Sequence, residues 1–222
     1  MVQKPNNRSK DADERLKRRA EVRRLEILRA AARAFRQLGY HATGMRDIAA
    51  EADLSPGNLY HYFKGKEEIL FFCQDRSLDN MLEALERARL SGGAAPDQLR
   101  AVADAHVRVI LDELEGSDAH LELDVLGQEL RDKLIKKRDR YERGIRKLIA
   151  EGLKRGELLD CDPVLVTRAM LGALNWTVRW YRPEGPRSIA AVARSLADYV
   201  VRGIDPSPAG GAAVPETEGG SS

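Results

Sequence analysis

The chain is predicted to be all-α: a short N-terminal three-helix unit followed by a larger helical domain, about nine helices in total. Three observations carry this prediction. Apolar residues return at three- and four-residue spacing in one stretch after another. The stretches are separated by Gly, Pro and Ser clusters of helix-ending chemistry, such as Ser91-Gly92-Gly93-Ala94-Ala95-Pro96. Aromatic residues make up only 5% of the chain, and no alternating β-branched run or internal repeat is present.

The elements follow in order. Residues 1–20 are highly charged and lack a periodic apolar face, so they read as a flexible basic tail that turns helical near its end, either merely solvated or with its bases following DNA phosphates or a minor groove. Val22, Leu25, Ile27, Leu28, Ala31, Phe35 and Leu38 form a stripe over 22–38, and Gly39 supplies the left-handed exit. A second helix begins near Met45 with Asp47 in its first turn, where a carboxylate suits the helix dipole. Asp53-Leu54-Ser55 is a turn, and Ser55 caps a third helix that has Pro56 at its first position. A long fourth helix covers 66–90 with Ile69, Phe72, Cys73, Met81, Leu82 and Leu85 on its apolar face. A fifth covers 97–114 and a short sixth 119–126. The seventh spans 130–155 and carries Leu134, Tyr141, Ile145, Leu148 and Ile149. Pro163 opens an eighth that runs to about 181, where Arg182-Pro183 stops it; a ninth covers 188–202. Residues 205–222, rich in Pro, Gly and Ser, read as disordered.

Bulk properties narrow the function classes. Hydrophobic residues are 43% and charged residues 32%, the balance of a soluble globular protein. Net charge is only +2, but it is uneven. Residues 1–70 hold 15 Lys and Arg against 10 Asp and Glu; the remainder holds 22 against 25. A basic front and a mildly acidic back fit a nucleic-acid reader joined to another unit, and equally a solvated charged surface. Cys73 and Cys161 are far apart and sit in or beside apolar helices, so they are expected as buried free thiols. No apolar run approaches the ~20 residues of a membrane span, and the N-terminus lacks a signal-peptide core, which makes the cytoplasm the expected compartment. There is no Gly-rich phosphate loop, no HExxH and no nucleophile elbow. His41, His61, His106 and His120 are scattered without an evident triad partner. The chain is therefore expected not to be an enzyme, with no cofactor and no metal.

Residues 43–68 are the most informative segment: two short helices, a tight turn, an aromatic cluster and the start of a long helix. Leu59 and Phe63 are spaced to face inward from the third helix. Ser55, Gly57, Asn58 and His61 can face outward. Glycine lets the backbone approach a groove wall; Asn can read a base edge; Tyr60 and His61 can donate to phosphates. Tyr60, Tyr62 and Phe63 also read as a small aromatic core, and Arg46 as half of a surface ion pair.

The span from Arg24 to Leu70 resembles the DNA-binding domain of the TetR family of bacterial transcriptional regulators. The matching residues are Ala31-Ala32, Phe35, Gly39-Tyr40, Ala42-Thr43, Ile48-Ala49, Ser55, Gly57-Asn58-Leu59-Tyr60, Phe63 and Lys66-Glu67-Glu68. The resemblance implies DNA contacts from Thr43, Arg46, Ser55, Gly57, Asn58, Tyr60, His61 and Lys66. Gly44 stands where the family commonly has Ser or Thr, so a hydroxyl contact is missing there. The implied organisation is a helix-turn-helix domain over 21–66, an effector-binding and dimerisation domain over 67–204, and a tail over 205–222.

The resemblance further implies a homodimer on a palindromic operator in double-stranded DNA. The last two helices are the expected dimer surface, through Ala169, Ala173, Trp180, Ile189, Val192, Leu196 and Val200. An effector pocket in the second domain is implied too, with His106, Tyr141, Asn175, Trp176 and Arg179 as candidate linings; a satisfied core histidine and an interface tryptophan are the alternatives. The segment from Asn175 to Pro183, followed by Gly185-Pro186, resembles the TetR subgroup that senses acyl-CoA thioesters. The expected protein is a ligand-responsive repressor released by a small amphipathic effector, with an acyl-CoA as the leading candidate. The alternative is a DNA-binding architectural or adaptor protein without small-molecule control.

Overall fold

The computed structural model describes residues 7–111 and 124–207, with side chains from Glu14 onward. All the regular structure among these residues is helical. The expected helix over 119–126 falls mostly outside them, as do His120 and the tail beyond 207; residues 124–126 form a turn.

Helix α1 is Asn7–Leu38, not 22–38. Residues 7–38 contain no Gly or Pro and are rich in Arg, Lys, Glu, Leu and Ala, all good helix formers. The missing apolar periodicity before Val22 signals missing packing, not missing helix; residues 14–22 are all exposed. Gly39 ends α1 at φ +78°, its N–H bonded to Phe35 O at 2.8 Å. Helix α2 is Met45–Glu51. Its N-cap, Gly44, has no side chain, and only the reverse half of a capping box forms: Asp47 Oδ2 accepts from Gly44 N at 2.8 Å. The exit from α2 places Asp53 in the left-handed region at φ +51°. Leu54 N bonds to Ala49 O at 2.8 Å and Asp53 N to Ala50 O at 3.2 Å, a Schellman closure with Asp where glycine is usual.

Helix α3 is Pro56–Tyr62, capped by Ser55 Oγ accepting from Asn58 N at 3.2 Å. Leu59 and Phe63 are buried with Ile27, Ala31, Phe35, Ile48 and Ile69 in one apolar cluster. Arg33 Nε pairs with Glu51 Oε1 at 2.5 Å and holds α1 to α2. The expected inward face of α3 is therefore the observed one.

Helix α4, Lys66–Leu90, starts in this unit and runs on into the second domain. There it packs on α5, Ala95–Leu111, and on α6, Gln128–Lys154. A Cβ at Gly144 would overlap Leu85 Cδ2, so a glycine is what lets α6 come this close to α4. Helix α7 is Pro163–Asn175, α8 Thr177–Trp180 and α9 Ile189–Arg202. Val192, Ala193, Ala197 and Val201 of α9 are buried, and α9 packs along α5. Arg100 of α5 bonds Asp198 Oδ1 at 3.1 Å and also Asp205, tying down the far end of α9.

The single eighth helix expected to reach 181 is interrupted at Trp176. No Gly or Pro marks the place. Thr177 Oγ1 instead donates back to Leu174 O, a local side-chain bond that competes with the helical ladder.

Candidate nucleic-acid interface and effector cavity

The turn between α2 and α3 sets how α3 is presented. Leu59 is fully buried while Gly57, Asn58 and His61 are exposed, and Tyr60 is 55% exposed. The outer face of α3 thus offers a short amide side chain, an imidazole and a phenol beside a backbone stripped of side chain at Gly57. Ser55 uses its oxygen as cap acceptor; its hydroxyl hydrogen is still able to donate outward. Arg46 is exposed on the first turn of α2, with no ion-pair partner among the described residues.

Two expected DNA contacts are placed differently. Thr43 is 1% exposed, and its hydroxyl donates to Gly39 O at 2.7 Å, with Ala34 O at 3.3 Å. It seals the α1–α2 loop and has no hydroxyl to give to a phosphate. Lys66 Nζ donates to Tyr40 O at 2.9 Å, His41 O at 3.1 Å and Thr43 O at 2.9 Å, and lies 4.7 Å from the Tyr40 ring centroid. All three ammonium hydrogens are used on the same loop. Lys66 is therefore a positioning residue that locks the start of α4 to the entrance of α2. The charge-assisted bonds are worth more than neutral ones, and they fix the orientation of the whole reader.

In the second domain, α4, α5, α6, α7 and α8 line a cavity of about 310 Å³. Leu78, Met81, Ile110, Leu171 and Val178 give it apolar walls; Gln74, Arg138, His106, Tyr141 and Asn175 give it polar points. His106 is 3% exposed, with Nδ1 3.3 Å from the Tyr141 hydroxyl and Nε2 3.2 Å from Asn175 Oδ1. Burial pushes the His106 pKa down to about 4, so the ring is neutral at pH 7. With Asn175 oriented so that its oxygen faces the ring, Nε2 carries the hydrogen and Tyr141 donates to Nδ1. Burial also pushes the Tyr141 phenol up, so it stays protonated. Arg138 Nη2 bonds Gln74 Oε1 at 3.0 Å, and burial lowers its pKa.

Three of the five expected pocket residues, His106, Tyr141 and Asn175, are thus brought together across α5, α6 and α7. Trp176 and Arg179 are not; both are exposed, and neither lines the cavity. One helical position decides this: Asn175 points to α5, and the next residue points away. Gln74, Ser77, Glu142 and Arg168 line the cavity without having been singled out for it. Gln74 and Ser77 carried a legible signal, since two polar residues stand on the buried stripe of α4 among Leu70, Cys73, Leu78 and Met81. The other cations near Arg138 are engaged elsewhere: Lys137 with Asp75 at 2.5 Å, Lys133 with Glu129 at 2.7 Å, and Arg131 with Asp124 at 3.3 Å.

The expected dimer residues divide in the same way. Ala169, Ala173 and Trp180 are exposed on α7 and α8, while Ile189, Leu196 and Val200 are half-buried on α9. Val192 is 4% exposed and belongs to the chain's own core, because it lies on the face of α9 turned to α5. Trp176, at 63% exposure, fits the alternative of an interface tryptophan, whereas Leu165 at 67% and Tyr199 at 76% were not expected on this face. No helix among the described residues is long and apolar enough to cross a membrane, and no cluster of potential metal ligands occurs among them.

Comparisons with known proteins agree with this geometry. The family described as bacterial regulatory proteins, tetR family, matches residues 27–71, and the tetracyclin repressor-like C-terminal domain matches residues 92–204. The fatty acid metabolism regulator protein of Bacillus subtilis (strain 168) is 27% identical over 183 residues, covering 81% of this chain and 94% of that one. The HTH-type transcriptional repressor KstR2 of Mycobacterium tuberculosis (strain ATCC 25618 / H37Rv) is 30% identical over 195 residues, covering 82% and 92%. The structure of the TetR family regulator PfmR from Thermus thermophilus superposes with a TM-score of 0.72 at 36% identity, covering 79% of this chain and 97% of that one. With both halves matched in order and an exposed reading helix in the first, the chain belongs to the TetR family of bacterial regulatory proteins.

Proposed function

We propose that the protein is a dimeric, ligand-responsive transcriptional repressor whose reader occupies residues 21–66 and whose effector and dimer unit occupies 67–204. Arg46, Ser55, Gly57, Asn58, Tyr60 and His61 are its DNA contacts: Asn58 toward a base edge, Tyr60 and His61 toward phosphates. The observation that carries the reading is the outward polar face of α3 over a fully buried Leu59. Two copies pair through α7, α8 and α9, with Leu165, Ala169, Ala173, Trp176, Trp180 and Tyr199 at the seam. A twofold pair presents two readers to a palindromic operator. The protein acts in the cytoplasm, and its work is binding, with no reaction assigned to it.

The effector is an amphipathic molecule with an apolar body. The cavity, about 310 Å³ with largely apolar walls, has room for an acyl or ring body. An acyl-CoA places its acyl part against the apolar walls and its carrier at the mouth, near the exposed Arg168. The relative named as a fatty acid metabolism regulator supports that class. Effector binding favours a spacing of the two readers that no longer fits the operator. The cavity disfavours an architectural protein without a ligand, since a domain of that kind has no need of one. A mobility-shift assay on the DNA upstream of the protein's own gene, with and without a panel of acyl-CoAs, tests this. Sequence-selective binding relieved by an acyl-CoA is expected. Absence of selective binding at physiological salt refutes the repressor, and binding indifferent to every compound refutes the effector class.

A further inference from the structure

The first third of α1 is a helix without a fold to support. Every residue from Glu14 to Val22 is exposed. A helical segment whose residues are all exposed meets solvent or a partner. The sequence from 7 to 24 holds eight Lys and Arg against four Asp and Glu. Arg15, Arg18 and Arg19 recur at i, i+3 and i+4 and so share one face; Arg8 stands at the same register position seven residues earlier. Of the acidic residues, Glu21 leans toward Arg76 of α4 at 3.9 Å.

The root of this arm is fixed next to the reading helix. Arg24 stacks over Phe63 at 5.6 Å and Phe72 at 5.1 Å, and its guanidinium reaches Tyr62 O, at the end of α3, at 3.5 Å. From that root the helix continues to residue 7, a rise of roughly 25 Å at 1.5 Å per residue. At 3.4 Å per base step, this spans roughly seven base pairs.

We propose that the arm is a second, sequence-independent DNA contact, in which Arg15, Arg18 and Arg19 follow phosphates flanking the groove that α3 enters. This rests on the DNA-binding reading of α3 and adds a contact outside the helix-turn-helix unit. The occupant is duplex DNA because the arm's face is cationic, it carries few apolar side chains, and it is continuous with the reader. Its contribution is to affinity and salt dependence; base preference stays with α3.

The test compares the full chain with the R15Q/R18Q/R19Q variant on an end-labelled duplex of mixed sequence, about 40 base pairs long, by anisotropy across a salt series. These side chains pack on nothing, so the helical circular dichroism of the variant matches wild type. The slope of log K against log salt is expected to fall by about 0.9 per lost phosphate contact, up to about 2.7 per subunit. Affinity near 0.1 M salt is expected to drop at least tenfold, with base preference in a random-pool selection unchanged. Wild type that binds the duplex with a slope the variant shares overturns the arm alone. Wild type that binds no duplex overturns the DNA reading and the arm together. A variant that sediments as a monomer where wild type is a dimer assigns the arm to a subunit contact and overturns the proposal.

Discussion

Replacing His106 with Gln is expected to flatten the acid dependence of stability. His106 is sealed among Tyr141, Asn175 and the cavity walls, and its folded pKa is about 4 against 6.5 for the free side chain. The unfolded chain therefore binds a proton that the folded chain refuses between these two values. A folded state that binds fewer protons loses stability as pH falls, starting near 6.5 and levelling off below 4. With those two pKa values, the loss between pH 7 and pH 5 is roughly 2 kcal/mol. Urea midpoints at pH 7, 6 and 5 measure it, without effector, because a ligand bound only to the folded state adds its own stabilisation. Wild type should lose about that amount over the range, and the Gln variant should lose much less, though it starts from lower stability. Carboxylates titrate mostly below this window, so the difference between the two proteins isolates the imidazole. Parallel pH profiles for wild type and variant mean that His106 is protonated as readily in the fold as out of it, and the buried neutral relay is then wrong.

Three further outcomes follow from the geometry. Lys66→Met removes three hydrogen bonds to the Tyr40–Thr43 loop, so it should destabilise the reader by roughly 2–4 kcal/mol; hydrogen exchange at that loop should rise while the second domain keeps its protection, and unchanged exchange rejects the locking role. Asn58→Ala should cost about 1–3 kcal/mol of operator affinity and leave binding to unrelated DNA as it was; an equal loss on both DNAs means Asn58 touches only the backbone. Leu165→Asp together with Trp176→Asp places charges on the exposed seam of α7 and should yield folded monomers by sedimentation; a dimer that persists at micromolar concentration locates the interface elsewhere.

Much of the candidate site was legible because its chemistry is local. Ser55 before Pro56 is a cap, and Leu59 with Phe63 is one helical face; neither depends on what lies beyond the segment. His106, Tyr141 and Asn175 were legible as polar residues on apolar stripes, though not as one hydrogen-bonded chain, since they lie 35 and 69 residues apart along the sequence. The misplacements share a cause. Thr43 and Lys66 look like phosphate ligands by type and position, yet the Gly39–Thr43 loop turns its carbonyls onto them. Val192 on α9 and Trp176 at the break between α7 and α8 have apolar residues on more than one side, and only the neighbour decides which side is inside. Helix α1 was foreshortened because periodicity reports burial, and its first part buries nothing.

By itself, then, the sequence determined most of the helices and their caps, the turn that projects α3, and the family, but not the start of α1 or the break at Trp176. These depend on backbone preferences and on spacing within about one helical turn. Tertiary structure decided which polar groups are spent inside the chain and which are left for a partner. It joined α5, α6 and α7 around a common cavity, turned Lys66 inward and left Trp176 outside. The reason is physical: a side chain's hydrogen bonds go to whatever the rest of the chain brings within about 3 Å of it, and that distance is not written in any neighbouring residue.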